Sequence, residues 1–117
     1  MLEAISARDI AVSGLRAQRA RMNVIANNIA NVETTRTPEG GAFRRQMVVF
    51  SAEPLKAGMK AGQAGVRVKS IIKDQSSLRT VFDPGHPDAN KDGYVSYPNI
   101  NMSVEMVDLI SAQRAYE

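Results

Sequence analysis

The sequence predicts an α+β protein with a long helix at each end and a small β-rich region of short strands and loops between them. Three observations lead there. Apolar residues recur three and four apart over residues 6–32 and again after residue 101. A Pro/Gly cluster, Thr37-Pro38-Glu39-Gly40-Gly41, cuts the first pattern off. Runs rich in Val, Ile and Phe with short-period alternation fill the interval. The chain divides accordingly into residues 1–35, 36–100 and 101–117. The two terminal helices are expected to form a coiled-coil-like pair.

In the first helix Leu15, Met22 and Ile29 fall seven apart, as do Ile25 and Val32, so the two sets interleave as a heptad seam. Gln18 holds the remaining seam position, Arg8 falls on the seam one repeat earlier and Arg19 sits at its margin. At ~1.5 Å per residue the helix is roughly 40 Å long, more than one small core can cover. Gly14 weakens it by about 1 kcal/mol relative to alanine. Asn23, Asn27 and Asn31 repeat every fourth residue and line one flank, with Asn28 beside them. Asparagine is a poor helix former, so two readings stand. Either the amides bond local backbone at a fraying end, or they donate across a helix–helix contact where Ala26 and Ala30 permit close approach.

Pro38 lacks a donor and biases Thr37 away from helix, and Gly40-Gly41 supplies positive φ. Strands are expected over residues 43–51, 66–73 and 78–82, with Gln75-Ser76-Ser77 as a turn pairing the second with the third. The Gly/Ala/Lys-rich residues 52–65 read as a mobile loop. Asp83-Pro84-Gly85 opens a turn after the third run. The last helix starts near Asn101 or Ser103, either of which can cap it. Met102, Met106, Leu109, Gln113 and Tyr116 form its stripe, widened by Val107 and Ile110. No Gly, Asn or Pro stops it at Tyr116-Glu117, so its natural course is expected to run further.

Composition narrows the function. A chain of 117 residues holds one domain, and such chains bury only about two-thirds of their unfolded surface. The absence of cysteine removes disulfides and thiolate metal sites. No tryptophan and few aromatics argue against a stacking platform for single-stranded nucleic acid. The longest wholly apolar run, residues 47–50, is far short of the ~20 residues of a membrane span, and Met1-Leu2-Glu3 does not begin a secretory signal. Charge is uneven. Residues 1–55, 56–82 and 83–117 carry +2, +5 and −4 against a net +3. A basic middle and an acidic tail suit head-to-tail contacts between copies, although chance clustering on a solvated surface accounts for them equally.

Chemical motifs are sparse. Asp88, Asn90, Asp92, Gly93, Val95 and Ser96 match positions 1, 3, 5, 6, 8 and 9 of a calcium loop, but Asn99 stands at position 12, where a bidentate Glu should close the site. The plainer reading is an Asx-type turn with Gly93 at positive φ. A small calcium-binding module using this loop is the alternative function. His86 is the only histidine, which leaves no second member for a zinc site or triad, and it reads as a turn residue making one hydrogen bond. The glycines and lysines of 56–65 lack the Gly-Lys-Ser/Thr ending of a phosphate loop. No catalytic residue, cofactor or metal site is expected, so the chain is not an enzyme. Arg16, Arg19, Arg21 and Arg44-Arg45 could meet phosphates. Pairing with acids such as Glu105 and Asp108 is favoured over nucleic acid, for want of a recognition helix or aromatic context.

The run Ala26-Asn27-Asn28-Ile29-Ala30-Asn31-Val32 resembles the shared signature of bacterial flagellar axial proteins, the rod and hook subunits and their relatives. Thr34-Thr35-Arg36-Thr37-Pro38-Glu39-Gly40-Gly41, Asp83-Pro84-Gly85-His86-Pro87-Asp88-Ala89-Asn90 and Ser111-Ala112-Gln113-Arg114-Ala115-Tyr116-Glu117 are similar to proximal-rod members of that family. The resemblance implies a structural subunit of the proximal rod. Such a subunit self-assembles through its terminal helices into a hollow, torque-bearing shaft in the periplasm, exported by the flagellar secretion apparatus without a cleaved signal peptide. It implies as partners other copies, neighbouring rod proteins, and membrane-ring and export-gate components, with no nucleic acid and no membrane span. The interaction residues expected are Leu15, Met22, Ile25, Asn27, Asn28, Ile29, Asn31 and Val32 on the first helix, and Met106, Leu109, Ile110 and Tyr116 on the second.

Overall fold

The computed structural model describes residues 7–54 and 65–117. Of the loop expected over 52–65, residues 55–64 lie outside the described residues, and Ala52, Glu53 and Gly65 are strand residues, a correction to that expectation. Two helices and four short antiparallel strands make up the rest, in the order α1 (Ala7–Ala30), β1 (Gln46–Glu53), β2 (Gly65–Lys73), β3 (Arg79–Phe82), β4 (Tyr94–Tyr97) and α2 (Met102–Tyr116).

α1 runs uninterrupted because residues 7–30 contain no proline and a single glycine. Its end tightens rather than frays. Asn31 N–H is shared between the carbonyls of Asn27 and Asn28, and Val32 N–H turns to Ile29 O at 3.3 Å. The Asn31 side chain then donates to Asn27 O at 2.8 Å, and Thr34 Oγ1 donates to Asn31 Oδ1 at 3.0 Å. After this cap Gly40 and Gly41 take φ of +92° and +75°, and the reversal is closed by Thr37 N–H on Gly41 O.

The strands form two separate ribbons. β1 pairs with β2, from Gln46 opposite Lys73 to Glu53 opposite Gly65, with a bulge where Val49 faces Ser70 and Phe50 faces Val68. β3 pairs with β4, Phe82 opposite Tyr94. The expected pairing of the second strand with the third through Gln75-Ser76-Ser77 is therefore corrected. That segment is a spacer: Asp74 Oδ1 accepts from Ser76 N, and Arg44 and Asn99 both donate to the carbonyls of Asp74 and Ser76. The partner of β3 is a strand lying inside the segment that matches a calcium loop.

α1 lies across the first ribbon, where Ser13 Oγ accepts from Val66 N at 3.1 Å. α2 is capped by Asn101, whose side chain accepts from the amides of Ser103 and Val104. Glu105, near the start of α2, bonds to Asn28, near the end of α1, and the helices stay in contact beyond that point. α2 therefore runs back antiparallel along α1. This is a side-by-side helix pair, and nothing in its burial requires the knobs-into-holes seam of a coiled coil.

The core is thin. Among the described residues the buried apolar core side chains are Ala17, Val24, Ile25, Val95 and Ala112. The molecule measures 69 × 25 × 19 Å with a radius of gyration of 19.1 Å, where a compact chain of this length has about 13 Å. Its accessible surface is 8001 Å², against about 6,200 Å² for a compact monomer of this mass.

At Gly93 the lack of a side chain decides packing. Its φ is +86°, and a Cβ there would sit 2.8 Å from the Phe82 ring and 3.2 Å from Pro84 Cβ. Gly93→Ala is expected to destabilise the chain by ~1–2 kcal/mol from backbone strain alone, measured by urea unfolding. An unchanged midpoint would contradict this role.

Candidate interaction site

The first helix, the first ribbon and the second helix meet at one buried polar junction. Asn28 is 1 % exposed. Its Nδ2 donates to Gln46 O at 2.9 Å and to Glu105 Oε1 at 2.8 Å, and its Oδ1 accepts from Gln46 N at 2.9 Å. The amide thus completes the backbone bonding of the first residue of β1 and holds α2 with the same group. Glu105 is fully buried. Its second oxygen accepts from Arg45 Nε at 2.9 Å, and the rest of the guanidinium reaches Asp74 at 3.5 Å and Asp108 at 3.6 Å. Burial disfavours the Arg45 charge, but Glu105 and Asp74 outweigh that and raise its pKa. Arg45 is itself held through its backbone, donating to Asn99 Oδ1 at 2.8 Å and accepting from Asp74 N.

A second clamp joins the end of α1 to the loop between β3 and β4. Thr35 Oγ1 donates to Asp88 Oδ2 at 2.7 Å, and Arg36 pairs with Asp88 Oδ1. The Thr35 hydroxyl first, then Arg36, hold the Asp88 carboxyl below its usual pKa despite partial burial. Asp74 is lowered likewise, chiefly by the Ser76 amide and hydroxyl. Both contributions are present at neutral pH and fade as pH falls through these lowered values. His86 Nδ1 accepts from Asp88 N at 2.9 Å, and the ring stands edge-on to Tyr97, a turn role.

These contacts engage several of the oxygen atoms that the calcium-like segment would offer a cation. Both Asp88 oxygens are engaged, Asn90 Oδ1 accepts from the amides of Asp92 and Tyr94, and Asn99 is bound under Arg45. Among the described residues no three His, Asp or Glu side chains cluster as metal ligands, and no helix is long and apolar enough to cross a membrane.

The residues singled out in the sequence occupy different depths. Ile25 and Asn28 are buried. Met22, Ile29, Asn31, Val32 and Leu109 are half-buried, and Leu15, Asn27, Met106, Ile110 and Tyr116 are exposed. Of the amides, Asn31 bonds locally, Asn27 reaches Gln46 Oε1 on β1, and Asn28 alone bonds to α2. Glu105 and Asp108 receive Arg45 rather than an arginine of α1. Gln46 and Asn99 carry no sequence signal, because their partners lie 18 or more residues away.

A buried ion pair stripped of one partner costs about 3–5 kcal/mol, whereas replacing both partners by apolar groups is often neutral. Arg45→Met is expected to lose about that amount in urea unfolding, and Arg45→Met with Glu105→Leu to recover most of it. A loss below about 1 kcal/mol in the single variant would refute the junction's importance.

The two helices that the junction joins lie in segments that match family models. The model described as flagella basal body rod protein matches residues 9–36, and the model described as flagellar basal body rod FlgEFG protein C-terminal matches residues 91–117. Asn28 and Glu105 tie these two matched segments together. The flagellar basal-body rod protein FlgC of Borreliella burgdorferi is 49 % identical over a 127-residue alignment covering 96 % of this chain and 83 % of that protein. FlgC of Yersinia enterocolitica is 46 % identical over 111 residues, covering 93 % and 79 %. FlgC of Bacillus subtilis is 39 % identical over 129 residues, covering 99 % and 86 %. Matched at both ends by rod models and along nearly its whole length by these relatives, the chain belongs to the FlgC family of flagellar basal-body rod proteins.

Proposed function

We propose that this structural rod subunit, which is not an enzyme, is built into the proximal rod through its two terminal helices. Copies of it and neighbouring rod proteins pack side by side into a hollow periplasmic shaft that transmits torque. The membrane ring and export gate adjoin the base of that shaft, and subunits reach it through the flagellar secretion channel without a cleaved signal peptide.

The observation that carries this reading is the uncovered apolar surface of α2. Met102, Val104, Met106, Val107 and Ile110 are all exposed, Val107 at 64 % and Ile110 at 53 %. A stable monomer does not leave half a helix of large apolar side chains in water. The excess accessible area over a compact monomer, about 1,800 Å², is about twice the ~800 Å² that one standard interface removes from each partner. On α1 the exposed Leu15 and half-buried Met22 and Ile29 extend the same kind of surface, and with α2 they form the proposed packing faces. The junction of Asn28, Gln46, Arg45 and Glu105 lets a load on either helix pass to the other and to β1 without sliding, because any slip strands a buried charge.

Val107→Asp combined with Ile110→Asp tests this directly. Both residues are exposed, so the isolated subunit is expected to unfold within about 0.5 kcal/mol per site of the parent, while swimming of cells carrying the variant is abolished. Normal swimming with a stable variant would contradict the use of this face.

A further inference from the structure

We propose that the tip of the β3–β4 hairpin is a docking knob that seats on the outer face of the N-terminal half of α1 in a second copy of this chain. The knob is built from an unusual outward pair. Val81 and Val95 face inward, with Val95 fully buried, so the next register pair, Phe82 and Tyr94, faces solvent. Their rings nonetheless pack edge to face at 5.2 Å, 62 % and 47 % exposed. The Phe82 ring lies over Gly93, where no Cβ fits beneath it. A rigid, pre-ordered aromatic pair on a solvent face has the character of an interface anchor. Asp83 and Asp92 flank it with exposed carboxylates that have no ion-pair partner among the described residues, and Lys91 leaves the tip net negative.

The complementary surface is on α1. Arg8, Val12, Leu15 and Arg19 follow at spacings of four, three and four, so they share one helix face. All four are exposed, and neither arginine makes an ion pair among the described residues. An apolar centre between two cations matches an aromatic centre between two carboxylates in both chemistry and sign. Arginine over tyrosine is already a contact this hairpin makes, with Arg79 stacked 4.6 Å from the Tyr97 ring centre.

One chain cannot join these two surfaces to each other. The loop that carries the knob is tied to Thr35 and Arg36, beyond the C-terminal end of α1, and about 27 Å of helix separates Val12 from Ala30. The contact is therefore between copies and joins two different patches. Repeated, such a contact propagates as an open chain or helix instead of closing into a two-fold dimer. The inference rests on the reading of this protein as a self-assembling rod subunit and names which surface meets which.

The chain has no cysteine, so Leu15→Cys and Tyr94→Cys in one polypeptide give a clean probe. In basal bodies isolated from cells carrying this variant and oxidised with copper phenanthroline, a ladder of reducible multimers of the subunit is expected, and at most dimers from either single variant. As a second measure, Arg19→Glu and Asp92→Arg are each expected to lower swimming at least fivefold, and the two together to restore it to within twofold. Assembled basal bodies that contain the variant but yield no ladder, or a charge exchange whose defects simply add, would overturn the knob-on-helix contact while leaving the rod assignment intact. Absence of the unmodified subunit from basal bodies would instead overturn the rod reading beneath it.

Discussion

A carboxylate withdrawn entirely from water dictates how this molecule is put together. Glu105 is tolerable in the interior only because Asn28 donates to one of its oxygens and Arg45 to the other. Asn28 can do so only while its remaining bonds go to the backbone of Gln46, and Arg45 only while Asn99 and Asp74 hold its main chain. Each condition names a different element: α1, the start of β1, the 74–76 spacer and the start of α2. Satisfying one buried charge thus sets the mutual register of segments far apart in sequence. Among the described residues the apolar core, five small or medium side chains, is too sparse to specify that register by shape.

The same economy of core explains the outer form. A chain that spreads to 69 Å with a surface well above that of a compact monomer keeps much of its apolar area outside. For an ordinary soluble globule that is a liability. For a rod subunit that assembles with other rod components, the exposed face of α2 and the aromatic tip of the β3–β4 hairpin are the surfaces proposed above as unfinished interior. The subunit's own interactions are polar and directional, suited to holding one shape. Those it offers outward are largely apolar, suited to tight packing once water is displaced.

Local patterns in the chain foretold local structure well. The heptad run marks out α1, which ends at Ala30 on its asparagine cap before the Pro38–Gly41 break, the Val- and Ile-rich runs overlap β1 and β2 and contain β3, and Asn101 caps α2 as its position suggested. The pairing of strands was not legible. Gln75-Ser76-Ser77 has turn composition, yet its carbonyls are claimed by Arg44 and Asn99, which lie in distant segments. β4 was hidden because Asp88, Asn90 and Asp92 imitate a cation loop, while the Asp88 carboxylate actually bonds Thr35 and Arg36 and the Asn90 side chain bonds nearby amides. The junction was legible only in its parts. Asn28, Arg45 and Glu105 each stand out as polar residues on or beside apolar stripes, but periodicity treats charged residues as surface and has no means of joining positions 60 to 77 residues apart.

The most direct test of the junction is the hydrogen-exchange rate of the Gln46 amide, which donates to the buried Asn28 side chain. If Asn28, Arg45 and Glu105 bind the helices and first ribbon into one unit, this proton exchanges only when the whole chain unfolds, with a free energy equal to that of global unfolding. Exchange by local opening, several kcal/mol below the global value while the α1 core amides stay protected, would show that the helices and the ribbon separate independently, and would contradict the account.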